Sequence, residues 1–254
     1  GMGFTQKQYA TVWGIYSGKF RVLMNVPLSI ASCLAPSVVP ALTEAMANND
    51  LREAGLRTRD TIRYTMVFTI PCAVGMAALA RPIMMMLYGN NDSLALAAGI
   101  MQSGALLTVL LALSTLTTGI LQGLGEMQAP LVHAATAVAI HLGFLVLFVV
   151  KFKWNIYGVV YANIIFGLII CLLNARSIRK KLHYRQEIKK TFLVPVIAAG
   201  VMGIAAISTI LAVCVGAVVY GICLVKLGGI LEREIRRLPK GDLLADLLIR
   251  LNIL

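Results

Sequence analysis

The sequence predicts an all-α protein: a polytopic membrane helix bundle of about seven transmembrane helices followed by a C-terminal amphipathic helix. Three observations carry this. Of 254 residues, 59% are hydrophobic and 13% charged, with a mean hydropathy of +0.83, whereas soluble domains are ~45–50% apolar. Stretches 22–43, 93–125, 127–150, 154–175 and 191–225 carry no charged residue, and 64–80 is a shorter one; a helix needs ~20 such residues to cross a bilayer. The charges fall between these stretches. Runs this long and uniformly apolar exclude the ~10-residue alternation of a membrane β-barrel, and no segment has a disordered composition.

Charge placement sets the topology. Arg52, Arg57, Arg59 and Arg63 lie in 48–63, read as the loop after the first span, and Arg176, Arg179, Lys180, Lys181, Arg185, Lys189 and Lys190 lie in 176–190, after the fifth. Both fall on one side, and the positive-inside rule makes that side cytoplasmic. Lys7, Lys19, Arg81, Lys151 and Lys153 fall opposite, and Arg21 falls within the first span. The net charge of +12 and pI near 9.8 therefore read as topology and contact with anionic membrane lipids, with no nucleic acid partner.

The elements follow in order. Residues 1–17 have no basic region leading into an apolar one, so no signal peptide is read. They form an extracytoplasmic N-terminal segment, Gly1–Ser17 being a loop, and the chain reads as the C-terminal part of something longer. The transmembrane bundle covers 18–226. Its first span, about 18–44, holds Pro27, Pro36 and Pro40, which remove backbone donors and predict a kinked or broken helix beside a cavity. The second, 64–80, runs into PIMMMLYG, an amphipathic stretch at the outer interface. The third, 93–124, is over-long and must tilt; Gly119 and Gly123 give it small-x-x-x-small spacing for helix packing. The fourth, 130–150, carries His133 near its cytoplasmic start and His141 near mid-depth, and the fifth, 156–175, carries Asn163 and Asn174.

Residues 191–225 would measure ~50 Å as one helix, too long for a ~30 Å core. A single crossing would also put Arg233, Arg236, Arg237, Lys240 and Arg250 outside. A tight hairpin turning near Ser208 to Val213 is favoured, which returns the C-terminus to the cytoplasm. The cytoplasmic tail, 227–254, gathers Leu243, Leu244, Leu247, Leu248 and Leu251 on one face of a helix lying on the inner leaflet.

Enzymatic signatures are absent: no phosphate loop, no H-E-x-x-H, no G-x-S-x-G. Every carboxylate lies in a loop or at a span end, so no pair is available for acid/base chemistry in the membrane. The cysteines Cys33, Cys72, Cys171, Cys214 and Cys223 have no metal-ligand spacing and read as small buried hydrophobes. No metal and no cofactor is expected.

Polar groups inside the membrane are costly and point to function. Arg21, Asn25, Ser29 and Ser32 fall at i, i+4, i+8 and i+11, one stripe on a helix. The functional reading is the wall of a hydrated cavity that meets an anionic headgroup. The plainer reading has Arg21 snorkelling to the outer interface and the small polar residues packing on a neighbour. For His141 the same two readings stand, cavity or packing.

GIYSGKFRVLMNVPLSIASCLAPSVVPALTEA (Gly14–Ala45) resembles the first helix of the C-terminal lobe in the stage V sporulation protein B group of polysaccharide and lipid-linked-oligosaccharide exporters. LARPIMMMLYG (Leu79–Gly89), GILQGLGEMQAP (Gly119–Pro130), NIYGVVYANII (Asn155–Ile165) and LPKGDLLADLLIRL (Leu238–Leu251) resemble further motifs of that group in the same order. The resemblance implies the multidrug/oligosaccharidyl-lipid/polysaccharide superfamily, in which two pseudo-symmetric six-helix lobes rock about a central cavity. It implies a flippase for a lipid-linked polysaccharide or peptidoglycan precursor in a bacterial cytoplasmic membrane, with an N-terminal lobe that this chain lacks. In related lipid II flippases a basic residue shortly before the N/Q-x-P motif helps form a cationic cavity for the pyrophosphate; Arg21 is within a residue of that position. Relatives place a Lys where this chain has His141. The loop expected between the last two spans is compressed here. A drug/cation antiporter of the same superfamily and a non-transporting membrane scaffold are the alternatives.

Overall fold

A computed structural model describes residues 6–183, 187, 189–205, 220 and 223. Among these the chain is helical, and five helices are long and apolar enough to cross a membrane. The first begins earlier than expected. Helix α1 (Gln6–Gly14), a π-helical turn (Ile15–Phe20) and α2 (Arg21–Ala47) form one continuous rod, so the expected loop is helical from Gln6. The wider turn is framed by Gly14 and Gly18, where a side chain would meet nothing within 4 Å, and Tyr16 and Phe20 pack their rings 5.7 Å apart along it.

Pro27, Pro36 and Pro40 lie inside α2, yet the helix is continuous rather than broken. Each proline removes one hydrogen bond and leaves the carbonyl four residues earlier unpaired within the helix; packing on one side holds the rest. That side is Met24, Pro27, Ala31, Ala35, Val38, Leu42 and Ala45, all buried at the spacing of one helical stripe.

Helix α3 (Leu51–Ala78) starts where a loop was expected, leaving only Asn48–Asp50 between it and α2. Asp50 caps it, its side chain accepting from the Glu53 N–H at 2.9 Å, and Glu53 pairs with Arg57 one turn on at 2.7 Å. The four arginines of 48–63 thus extend a helix beyond its apolar segment, since a capped start and good helix formers outweigh the charge run. The short helix α4 (Ala80–Tyr88) buries Met84 and exposes Met85, Met86 and Leu87, the two-sided pattern expected of an amphipathic stretch.

Helix α5 (Leu94–Gly123) is the centre of the bundle, packing against α2, α3 and α7 (Asn155–Leu182). Close approach to α2 depends on missing side chains: Gly119 lies on Ala35, Gly123 on Leu42 and Val39, and Gly104 on the Phe20 ring. Helix α6 (Gln128–Val146), prolonged by a π-helical turn (Leu147–Lys151), packs on α7 and only lightly on α5. Only 6% of its apolar window is buried, against 50% for α5. Helix α8 (Val194–Ala205) lies along α3.

The helices alternate in direction. The segments 48–50 and 124–127 share one end of the bundle with His183 and Glu187, and 79–93 and 152–154 share the other. Both basic runs therefore meet at a single end, as the charge pattern predicted. Gly203 packs on Val74 and Ala78 near the far end of α3, whereas Tyr220 donates to the Val67 carbonyl at 2.6 Å, about two turns back. The turn expected near 208–213 and the tail 227–254 lie outside the described residues. Two cysteines depart from expectation: Cys33 and Cys72 are exposed, while Cys171 is buried and donates to the Leu110 carbonyl at 3.2 Å.

Candidate functional site

Arg21, Asn25, Ser29 and Ser32 come together on one face of α2, and all four are exposed. The face is opposite the stripe that packs on α5. It continues through Cys33, Pro36, Ser37 and Pro40, also exposed, and the prolines release the carbonyls of Ser32 and Pro36 along it. The serines satisfy their own hydroxyls, Ser29 donating to the Val26 carbonyl at 2.7 Å, Ser32 to Leu28 at 3.1 Å and Ser37 to Leu34 at 2.9 Å.

The depth of Arg21 follows from its neighbour. Phe20 closes on Gly104, about ten residues or ~15 Å into α5 from its start at Leu94. Lys19 instead turns to the end of the bundle that holds 79–93, donating to Ser93 Oγ at 3.0 Å with its ammonium 5.0 Å from the Tyr88 ring centroid. On the flank of the rod, Tyr16 accepts a hydrogen bond from Asn163 Nδ2 at 3.1 Å, which ties α7 to the turn just before Arg21.

His141 is not part of this face. Its Nδ1 lies 3.0 Å from the Ala162 carbonyl of α7, and its ring meets Phe166 edge-on at 5.7 Å. It sits on the α6–α7 seam, half-buried, and α2 does not pack against α6.

The profile describing the lipid II flippase MurJ matches residues 18–227. The chain belongs to the MurJ lipid II flippase family. An uncharacterised membrane protein, YabM, of Bacillus subtilis strain 168 is 21% identical over 258 residues, covering 93% of this chain and 47% of the relative. The solved structure of lipid II flippase MurJ in an inward closed conformation shares the fold, with a TM-score of 0.66 and 20% identity over 87% of this chain and 48% of that one. The chain thus spans about half the length of each.

Within this MurJ-family fold the structure adds a polar cluster that sequence reasoning left scattered. Asn174, fully buried, donates through Nδ2 to Thr117 Oγ1 at 2.9 Å and Thr118 Oγ1 at 3.3 Å, and its Oδ1 lies 2.8 Å from His133 Nδ1. The other ring nitrogen of His133, Nε2, lies 3.3 Å from the Ser177 hydroxyl. Glu126 and Lys181 add an ion pair at 2.9 Å at the same end. This clasp joins α5, α6 and α7. One signal was available: Asn163 and Asn174 are eleven residues apart, three turns along one face of α7.

Proposed function

We propose that this chain is the C-terminal lobe of a two-lobe flippase that carries a lipid-linked polysaccharide or peptidoglycan precursor across the bacterial cytoplasmic membrane by alternating access. The observation that carries the proposal is the exposed polar face of α2 in a chain of this family. An apolar membrane has no use for a face bearing a guanidinium, an amide and proline-freed carbonyls, so it is read as one wall of a hydrated cavity. The opposite wall belongs to the other half of the longer protein, because substrate sites of such transporters form between repeats.

In this reading Arg21 is the principal contact for the anionic headgroup. A guanidinium keeps its charge in a cavity of low dielectric and offers a planar fork to phosphate oxygens. Asn25 supplies a neutral donor one turn further in, and Ser29 and Ser32 keep the wall narrow and wettable. His141, held by Ala162 and Phe166 on the α6–α7 seam, stands apart from this face, and the headgroup contact is assigned to α2 alone. Helix α6 presents Leu131, Val132, Val138, Leu142 and Val146 outward, a face suited to hydrocarbon, so the isoprenoid or acyl tail travels in the bilayer while the headgroup takes the polar path. No covalent step is required.

The topology proposed with it is seven spans with the C-terminus in the cytoplasm. Support comes from Tyr220, which lies back beside Val67 after Gly203 has reached the last turns of α3.

The test is Arg21→Ala in the full-length protein that carries this lobe, scored by complementation of a flippase-depleted strain. Loss of export at normal protein level and insertion is expected, with partial activity for Arg21→Lys. Full export by Arg21→Ala would refute the assignment.

A further inference from the structure

A cavity of about 310 Å³ opens between the first turns of α3 and the end of α7. It lies at the basic end of the bundle, cytoplasmic by the positive-inside rule, and across the molecule's length from Arg21. Its lining is divided in chemistry. Leu51, Leu56 and Leu182 form an apolar part, and Arg52, Arg59 and His183 bring cationic or N–H donor groups. Leu51 and Leu56 are 42% and 38% exposed, although both stand among arginines at a helix start.

The arginines are not equivalent. Arg57 is paired with Glu53 at 2.7 Å, and Arg59 with Asp60 at 3.2 Å and Glu187 at 3.4 Å. Arg52 forms no ion pair with a described residue. Glu187, the carboxylate that lines the cavity, is itself shared between Arg59 and Lys190, the latter at 3.9 Å. An anionic oxygen is therefore already stabilised on one wall, while Arg52 on another wall has its charge to offer.

We propose that this cavity holds the phosphate headgroup of an anionic phospholipid of the cytoplasmic leaflet. Arg52 and His183 donate to the phosphate, and the first stretch of hydrocarbon lies on Leu51 and Leu56. A lipid fits better than a soluble phosphate because the cavity joins cationic and apolar walls at the end of two membrane spans, where headgroups and chain tops meet. Gly55, which also lines the cavity, keeps the floor between Arg52 and Arg59 free of a side chain. The site is separate from the transport path and does not rest on it.

The experiment uses the purified chain in phosphatidylcholine vesicles doped with either spin-labelled phosphatidylglycerol or spin-labelled phosphatidylcholine, and reads the motionally restricted fraction. Preference for phosphatidylglycerol is expected. Arg52→Ala should reduce it about fivefold, the weight of one basic residue at an anionic surface, and Arg52→Lys should retain part of it. Glu187→Gln should increase it by removing a competing carboxylate, and Arg57→Ala, outside the cavity, should leave it near wild type. Equal losses for Arg52→Ala and Arg57→Ala would reduce the effect to general surface charge and overturn the site. Abolition of the preference by millimolar inorganic phosphate would overturn the lipid assignment.

Discussion

The α2–α5 seam gives a prediction whose size follows from the structure. A Cβ placed on Gly119 would lie 2.9 Å from the Ala35 Cβ, 3.1 Å from its carbonyl oxygen and 3.2 Å from its carbonyl carbon. Carbon atoms in good contact sit ~3.5–4.0 Å apart, so the two helices would have to separate by about half an ångström or more. The obstacle is helix backbone and a Cβ, neither of which can rotate away. Gly119→Ala should therefore cost on the order of 1–3 kcal/mol, the usual range for overpacking. Gly143→Ala is the internal control: its Cβ would meet nothing within 4 Å, and replacing a helical glycine by alanine gains about 0.5–1 kcal/mol. The two substitutions add the same atom to helices of the same bundle and should move stability in opposite directions. The assay is thermal denaturation of the detergent-solubilised chain followed by intrinsic fluorescence, where about 2–4 °C per kcal/mol is expected for a chain of this size. Equal shifts for both variants, or no loss for Gly119→Ala, would refute the claim that backbone contact closes this seam.

Three further predictions concern the site, the clasp and the chain's return. Single cysteines at positions 25, 29 and 32 should react with a water-soluble maleimide in the full-length protein and those at 24, 31 and 35 should not, in a background without native cysteines; uniform labelling would remove the two-faced α2. Asn174→Leu should lower stability by about 1–3 kcal/mol, from interhelical hydrogen bonds worth ~0.6–2 kcal/mol each in membranes, and adding His133→Ala should cost little more because both belong to one network; additive losses in thermal denaturation would argue against the clasp. Tyr220→Phe should cost about 0.5–1.5 kcal/mol in thermal denaturation for the lost bond to Val67; no loss would argue against the chain's return at that level.

Much of this was legible because helical periodicity in α2 separates two alphabets: small or apolar residues at 24, 27, 31, 35, 38, 42 and 45, polar ones at 21, 25, 29 and 32. Gly119 and Gly123 marked a close contact by spacing alone, but not its partner, since Ala35 and Leu42 are distant in sequence. Charge misled at 51–63, where membrane helices keep their geometry after leaving the hydrocarbon. Proline left two outcomes open in α2, kinked or broken, and the second does not occur because in a packed bundle a lost hydrogen bond need not end a helix. The clasp was hidden for a different reason: His133 and Asn174 are unremarkable apart, and what makes them a unit is the antiparallel register of α6 on α7, which the sequence of neither helix specifies. The same register takes His141 to Ala162 and away from α2.

That register sharpens the reading of the open face. Polar residues facing hydrocarbon differ greatly in cost according to whether they are already satisfied. Ser29, Ser32 and Ser37 donate to their own helix and could face lipid almost without penalty. Arg21 and Asn25 could not, since a guanidinium near the middle of a bilayer costs about 2.5–3.5 kcal/mol even on translocon scales. Among the side chains, the need for water or a polar partner is thus concentrated at the Arg21 end of α2, while the carbonyls freed by Pro36 and Pro40 add to it further along the face. Export by the full-length protein should accordingly fall most for Arg21→Ala, less for Asn25→Ala and least for Ser29→Ala or Ser32→Ala. If the serines proved as sensitive as Arg21, the face would be acting through helix packing against the other lobe, and the anion-binding role would have to move elsewhere.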